Sequence, residues 1–200
     1  LSLGGLDDTT KCQVLLTLSG IYAYQGQNLD KAKNYANQVI EIAKTNKNKE
    51  GANPDQWNKM IGAGYLTLAS AAEKAKDTNG AIGAYLKAYS FLKDPKVLAP
   101  LKKMGKELYD AKNYTEAEKV FRAIYNQSKD PNDALLLGQL LVKANKNDEA
   151  LTFLKEAYSK KRSGEVAFSI AVILAKKAQS DPSVVNEAVR YSPILIPSRP

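Results

Sequence analysis

Lysine side chains on one predicted helix face are the residues whose type and spacing point most directly to chemistry. Lys102, Lys106 and Tyr109 are spaced i, i+4 and i+7, so they share one stripe of an α-helix, and Lys103 adjoins it. A cationic patch with an aromatic ring could receive an acidic side chain or a C-terminal carboxylate. A plain solvated face is the alternative, and the sequence leaves both interpretations open.

Catalytic and metal-binding chemistry has few candidate residues. The sequence contains no His and a single Cys, Cys12. This excludes a Ser-His-Asp triad, a Cys-His dyad, an internal disulfide and zinc sites built on His or paired Cys. The carboxylates are scattered, and Gly62-Ala63-Gly64 falls inside a helical pattern instead of the strand-turn-helix setting of a phosphate loop. We therefore expect no enzyme, no catalytic residue, no metal and no cofactor.

Composition and charge are those of a folded protein with a basic surface. The 200 residues are 44% hydrophobic and 25% charged, and no apolar run has the ~20 residues of a membrane span. The net charge of +8 comes from 29 Lys and Arg against 21 Asp and Glu, spread along the chain. Dispersed lysine is typical of a solvated surface, so nucleic acid is not an expected partner.

Both ends of the chain are typical of a piece of a longer protein. The chain starts Leu1-Ser2-Leu3 without Met, and residues 192–200 form an apolar, proline-flanked tail. This tail could dock in a groove, although a frayed end is the favoured interpretation. One Cys is compatible with the cytosol or an oxidising compartment. The compartment stays open, with a lean towards an extracytoplasmic part of a longer processed or anchored protein.

Helical periodicity dominates the chain, whereas strand alternation is nearly absent. Apolar or small residues recur at i, i+3, i+4 and i+7, the spacing of one buried helix face. Five such stripes begin at residues 15, 65, 101, 134 and 167. The pattern therefore predicts a series of helices, with each striped helix followed by a second one.

Helix starts are marked by a capping side chain before a proline. The Asn or Asp oxygen can accept an unpaired N–H of the first turn, and Pro has no N–H to lose there. Pro100 would interrupt a helix that began at Pro95, so we expect the regular helix to begin near Ala99 or Pro100. The four pairs are Asn53-Pro54, Asp94-Pro95, Asp130-Pro131 and Asp181-Pro182.

The stripes continue into a longer repeated pattern. The motif Leu101-x2-Met104-Gly105-x2-Leu108 is followed by Ala117-x3-Phe121 and then by Pro131. It resembles the W-x2-L-G-x2-Y…A-x3-F…P pattern of the tetratricopeptide repeat, a helix-turn-helix unit of about 34 residues. Stretches that begin at Tyr65 and Ala134 match in the same register. The resemblance implies an all-α fold, a right-handed α-α superhelix of about four to five such units.

The expected domain is one repeat array over residues 8–191, followed by the tail 192–200. The first two stripes begin at residues 15 and 65, a spacing roughly sixteen residues longer than one repeat unit. We place the excess in a polar insertion at 45–53. The last unit is imperfect, because its second helix is delayed to about residues 182–191. The units are residues 8–44, 54–93, 95–129, 131–161 and 163–191.

The resemblance also implies a function. In this family the first helix of each unit lines a concave groove that holds peptides or partner segments. We therefore expect a non-catalytic protein–protein interaction scaffold whose partner is acidic or partly apolar. The Lys/Asn clamp of the chaperone-binding members is not matched. The expected groove residues are Leu66, Thr67, Ser70, Lys74, Lys102, Lys103, Lys106, Tyr109, Leu135, Leu136, Gln139, Lys143, Phe168 and Ser169, with Val172 beside them.

Two other functions remain as alternatives. Helices or grooves could join identical chains, which would make the protein a homo-oligomerisation module of a larger assembly. An RNA-binding helical repeat is less favoured, because the core pattern differs from that of one-base-per-repeat arrays.

Overall fold

The computed structural model describes residues 3–192, and every regular element in that range is helical. Ten α-helices are joined by short connections, with 3-10 helices at Pro95–Leu98 and Pro182–Val184. The α-helices are α1 (Asp8–Gln25), α2 (Leu29–Lys47), α3 (Pro54–Lys74), α4 (Thr78–Leu92), α5 (Ala99–Asp110), α6 (Tyr114–Ser128), α7 (Pro131–Lys143), α8 (Asn147–Lys160), α9 (Gly164–Lys177) and α10 (Val185–Arg190).

The chain forms two compact units, an N-terminal unit, Leu1–Lys103, and a C-terminal unit, Met104–Pro200. In the N-terminal unit α1 packs on α2, α3 packs on both of them, and α4 packs on α3. In the C-terminal unit each helix from α6 to α10 packs on the next one along the chain. Consecutive helix hairpins thus lie side by side within each unit, and the expected all-α repeat fold is confirmed.

The proline-preceding caps start their helices as expected. Asn53 Oδ1 accepts the backbone N–H groups of Asp55 and Gln56 at 3.2 and 3.3 Å. Asp130 Oδ1 accepts the N–H of Asn132 at 2.7 Å. After Asp94 the chain forms a 3-10 helix, and the regular helix α5 begins at Ala99. The 3-10 helix ends before α5 begins, so Pro100 lies in the first turn of α5. A missing N–H breaks no helical hydrogen bond at that position, whereas it would in a helix interior.

The polar insertion is partly helical. α2 continues to Lys47, so the non-helical connection to α3 is residues 48–53. Asn46 explains the extension, because its buried side chain uses both of its amide donors. Its Nδ2 donates to Asp8 Oδ2 at 2.9 Å and to the Ile42 carbonyl at 2.8 Å. A buried amide with both donors used stabilises the last turn of α2 against α1.

The buried stripes determine which way the neighbouring positions on the first helices face. In α7 the stripe Ala134, Leu137, Gly138 and Leu141 is entirely buried. In the N-terminal unit a cluster of α1, α2 and α3 residues that includes Cys12, Leu15, Val39, Trp57 and Ile61 forms the core. These buried faces orient the neighbouring positions of each helix away from the core. The tail residues 193–200 lie outside the described residues, so the docking hypothesis for them stays a prediction.

Candidate functional site

The α7–α9 cavity, a hollow of about 430 Å³, lies within the C-terminal unit and brings five of the expected groove residues together. Tyr109, Gln139, Lys143, Phe168 and Ser169 all line it. They come from three different first helices, α5, α7 and α9. The complete lining is Tyr109, Gln139, Val142, Lys143, Leu154, Phe168, Ser169, Val172 and Ile173.

Close packing of α7 on α8 forms the base of the cavity. Gly138 of α7 faces Leu154 of α8 so closely that a Cβ at Gly138 would lie 2.7 Å from Leu154 Cγ. Leu154 and Ile173 are themselves buried, at 0% and 4% exposure. A buried, closely packed apolar base therefore supports the more exposed side chains around it.

Two large apolar side chains on α9 stand open to solvent at the cavity. Phe168 is 57% exposed and Val172 is 38% exposed. The two are four residues apart, so they lie one above the other on the same helix face. An exposed aromatic ring beside an exposed valine at the edge of a concave surface is the arrangement expected of a binding site.

Polar groups occupy the rim between α7 and α9. Gln139 Nε2 donates to Glu165 Oε1 at 3.1 Å, which holds the amide side chain across the two helices. Ser169 Oγ donates to the Glu165 carbonyl at 3.0 Å. Of the described residues that line the cavity, Lys143 alone carries a charge, and it is exposed. The rim thus offers one cation and two oriented polar groups around an apolar centre.

The lysine stripe of α5 is not part of this cavity. Lys106 is exposed but does not line the cavity, whereas Tyr109 does. The Tyr109 ring packs edge-on against Tyr114, with the centroids 5.6 Å apart. Lys102 and Lys103 belong to the N-terminal unit. Of this stripe, the aromatic residue is therefore the member that the structure brings to the C-terminal site.

The leucines of α7 lie beside the cavity without lining it. Leu135 is half-buried, and Leu136 is 41% exposed. Neither residue lines the cavity, whereas Gln139 and Lys143 of the same helix do. A binding role for these two leucines stays a prediction.

The expected groove residues of α3 are mostly less exposed to solvent than Phe168 of α9. Leu66, Thr67 and Ser70 are all half-buried, and Thr67 Oγ1 donates to the Ala63 carbonyl at 3.3 Å. Lys74 is exposed, with its ammonium 6.0 Å from the centre of the Tyr24 ring. A hollow of about 330 Å³ in this unit is lined from α3 by core-stripe residues instead. Its lining is Lys33, Tyr65, Leu68, Ala72, Asp77, Gly80, Gly83, Ala84 and Lys87.

Sequence reasoning missed several residues of these surfaces. Val142, Leu154 and Ile173 line the α7–α9 cavity, although the repeat pattern marks Leu154 only as a packing residue. Tyr24, at 82% exposure, is the most exposed of the large apolar and aromatic side chains described. Its position in α1 corresponds to that of Lys74 in α3, nine residues after the start of the stripe. That register could have identified Tyr24 as a surface position.

The possible metal ligands and reactive groups within residues 3–192 include carboxylates and one thiol. No group of three or more His, Cys, Asp or Glu residues in that range is placed to hold a metal ion. The Cys12 thiol is fully buried, and burial together with the nearby Asp8 charge raises its pKa to about 11. A thiol of this kind stays protonated at neutral pH. Across the same range, none of the helices combines the length and the apolar character needed to cross a membrane.

Comparisons with known proteins place the chain among the helical repeats. A family model described as tetratricopeptide repeat matches residues 108–166. No curated protein sequence matches the chain.

Three of the similar solved structures each cover at least 90% of this chain. PilF of Pseudomonas aeruginosa is 20% identical, with 92% of this chain and 74% of that chain covered and a TM-score of 0.39. Aspartyl phosphate phosphatase F of Bacillus subtilis is 23% identical, with 92% and 49% covered and a TM-score of 0.45. The TPR2AB domain in the pHSP90 complex of yeast Sti1 is 14% identical, with 90% and 77% covered and a TM-score of 0.38.

The family match extends from the last turn of α5 to the first turn of α9, and it includes the helices α7 and α8 that form the base of the cavity. Residues 108–166 thus match the tetratricopeptide repeat, within a chain whose described helices form an all-α repeat fold.

Proposed function

We propose that the chain is a non-catalytic interaction scaffold that binds a partner segment at the α7–α9 cavity. The single observation that carries this proposal is the exposure of Phe168 and Val172 at the edge of a hollow with a buried apolar base. Repeat arrays of this class commonly present their partners with such surfaces instead of catalytic groups.

Burial of these two side chains supplies the driving force for binding. Exposed apolar surface gains about 25 cal/mol per Å² when a partner removes it from water. An aromatic side chain such as Phe168 is therefore a strong anchor when a partner covers it. The base formed by Leu154 and Ile173 is already buried, so it needs no rearrangement before a ligand enters.

The rim determines the chemistry of the expected partner. The lining is mostly apolar, which favours a bulky aliphatic or aromatic side chain of the partner at the centre. Lys143 at the rim favours a carboxylate close to that side chain in the partner segment. The hydrogen bond from Gln139 to Glu165 keeps the Glu165 carboxylate engaged with the protein itself.

Selection of peptides on the full chain tests the proposal. Peptides from a displayed random library should share one bulky apolar residue with an acidic neighbour. Phe168→Ala should weaken the selected peptides about tenfold or more, the effect of losing roughly 1.4 kcal/mol at an anchor residue. Lys143→Gln should weaken acidic peptides selectively and reduce the salt dependence of their binding.

A matched pair of valines provides the control. Val172→Ser alters a 38% exposed valine that lines the cavity, and it should weaken binding. Val185→Ser alters a 45% exposed valine on α10 that does not line it, and binding should stay within twofold of the unmodified chain. Equal loss in both variants, or full binding by Phe168→Ala, would contradict the proposed site.

Self-association is a second candidate with its own observation. Val185 and Val189 lie four residues apart on α10, and each is 45% exposed. They form a small apolar stripe that a second copy could cover. Light scattering over a range of concentrations tests this candidate, and a mass that stays monomeric at high concentration would exclude it.

A further inference from the structure

A second hollow in the C-terminal unit is lined by two arginines. The α8–α10 cavity, of about 420 Å³, is formed by Tyr158, Arg162, Ser163, Gly164 and Arg190. The sequence contains four arginines among its 29 basic residues. Two of them therefore meet at one hollow that shares no lining residue with the α7–α9 cavity.

These two arginines have no acidic partner within residues 3–192. Arg122 provides the contrast, because its guanidinium contacts Glu118 at 2.8 Å and Glu149 at 2.7 Å. Arg162 and Arg190 form no ion pair with any described residue, and both are exposed. Two uncompensated guanidinium groups at one hollow create a local positive potential without an internal counter-charge.

The carboxylates closest in sequence are engaged elsewhere. Glu165 accepts the amide of Gln139 on the α7 side of α9. Glu187 contacts the ammonium of Lys155 at 2.7 Å. The exposed residues Lys160 and Lys161, which precede Arg162, add further positive charge. The hollow is therefore open to an external anion.

The pair of arginines indicates the charge of that anion. Each guanidinium presents a planar fork of N–H donors that matches the oxygens of a carboxylate or a phosphoryl group. Two such groups on separate elements complement a dianion better than a single negative charge. The backbone at the start of α9 is a secondary contribution, since Ser163 and Gly164 line the hollow and the Ser163 side chain caps no N–H.

An aromatic ring adds a contact for the group that carries the charge. Tyr158 lines the hollow, and its ring is held edge-on against Tyr191 with the centroids 5.3 Å apart. A fixed ring beside the arginines offers a flat apolar surface to an organic substituent. A volume of about 420 Å³ also exceeds what a bare phosphate ion fills.

We propose that the α8–α10 cavity is a binding site for a phosphate monoester, whose dianion is held by Arg162 and Arg190 and whose organic group contacts Tyr158. The site is separate from the proposed partner surface and does not depend on it.

Calorimetric titration of the full chain with phenyl phosphate tests this proposal. Binding should weaken at least tenfold in Arg162→Gln and in Arg190→Gln, since each change removes one charge-assisted contact. Arg162→Lys should give an intermediate loss, because lysine keeps the charge without the bidentate fork. Both arginines are exposed, and unchanged melting curves by circular dichroism would establish that the variants fold.

Matched controls separate the site from general attraction to a basic surface. Lys161→Gln removes the same charge from an exposed neighbour that does not line the hollow, and phenyl phosphate should bind it within twofold of the unmodified chain. Benzoate, a monoanion with the same ring, and inorganic phosphate, without a ring, should both bind at least tenfold more weakly.

Four outcomes would overturn the proposal. They are no measurable binding of phenyl phosphate, equal losses in Lys161→Gln and Arg162→Gln, equal affinity for benzoate, and equal affinity for inorganic phosphate. The last result would assign the hollow to free phosphate and would remove the contact with Tyr158.

Discussion

The first-helix faces of α3 and α9 follow the same repeat pattern, but they differ in how much their neighbours cover them. On α3, Leu66 and Ser70 are half-buried and line neither the hollow of their own unit nor another described cavity. On α9, Phe168 and Val172 are exposed beside the α7–α9 cavity. Repeat position therefore defines which residues can face a groove, while the neighbouring side chains set which of them a ligand can reach.

Backbone approach accounts for the tight packing around α3. Gly64 of α3 faces α2, where an added Cβ would lie 2.7 Å from Ile40 Cγ1 and 3.1 Å from the Ala36 carbonyl oxygen. Gly62 similarly faces Leu92 of α4. α3 is thus packed closely on both neighbours. The C-terminal unit also has a close approach, at Gly138, but there Leu154 continues into the base of an open cavity.

Removing the base of the cavity should have the largest effect on stability. Leu154→Ala deletes a fully buried side chain and should lower the free energy of unfolding by about 2–5 kcal/mol, measured by urea denaturation. Phe168→Ala changes an exposed wall of the same cavity and should alter it by about 0.5 kcal/mol or less. Similar losses in both variants would remove the distinction between a structural base and an open binding wall.

Glycine replacement tests the close packing of the N-terminal unit. Gly64→Ala should lower the free energy of unfolding by about 1–3 kcal/mol, because the overlap with Ile40 and the α2 backbone outweighs the better helix propensity of alanine. Gly83→Ala is the matched control within a helix, since no atom lies within 4 Å of its added Cβ. It should stabilise the protein by about 0.5–1 kcal/mol in the same measurement. Stabilisation by both changes would contradict the close approach.

An ion-pair network on the C-terminal unit gives the smallest expected effect. Burial of Glu118 acts to raise its pKa, but hydrogen bonds from Lys146 and Arg122 outweigh burial and hold the pKa below its ordinary value of 4.5. Glu118→Gln should therefore lower the free energy of unfolding by about 1–2 kcal/mol at pH 7. The contribution of the carboxylate is complete above pH 4.5 and is lost as the pH falls through the lower folded-state pKa.

Urea denaturation at several pH values measures this linkage. The difference between the unmodified chain and Glu118→Gln should shrink steadily below pH 4.5. Glu116→Gln is the control on the same helix, because among the described residues Glu116 forms an ion pair along the surface of α6, with Lys119 at 2.6 Å. Its effect should stay below about 0.5 kcal/mol. A Glu118 effect that does not change with pH would show that the charge is not its source.

Much of the helical architecture could be predicted because each signal is local. The capping pairs at Asn53 and Asp130 start helices as expected, and the helix after Asp94 begins at Ala99. The end of α2 was less predictable, since Asn46 belongs to a polar stretch and becomes helical through its contact with Asp8 of α1. A hydrogen bond between residues 38 positions apart has no local signature.

The candidate site could be predicted only in part. Helical register indicated Gln139, Lys143 and Phe168 as groove residues, and they line one cavity. The same register indicated Leu136 and Lys106, which lie outside that cavity. Residues at equivalent repeat positions differ because the cavity depends on the size of side chains on adjacent helices, such as Leu154. The binding role of all of these residues stays a prediction.

Spacing within one unit of the repeat was enough to predict the helices, their buried stripes and the resemblance to the tetratricopeptide repeat. The packing of distant helices sets where an apolar hollow remains open and where, within residues 3–192, two arginines meet without a counter-charge. Those features depend on the residual space and charge left after several distant helices have packed, and no single repeat encodes them.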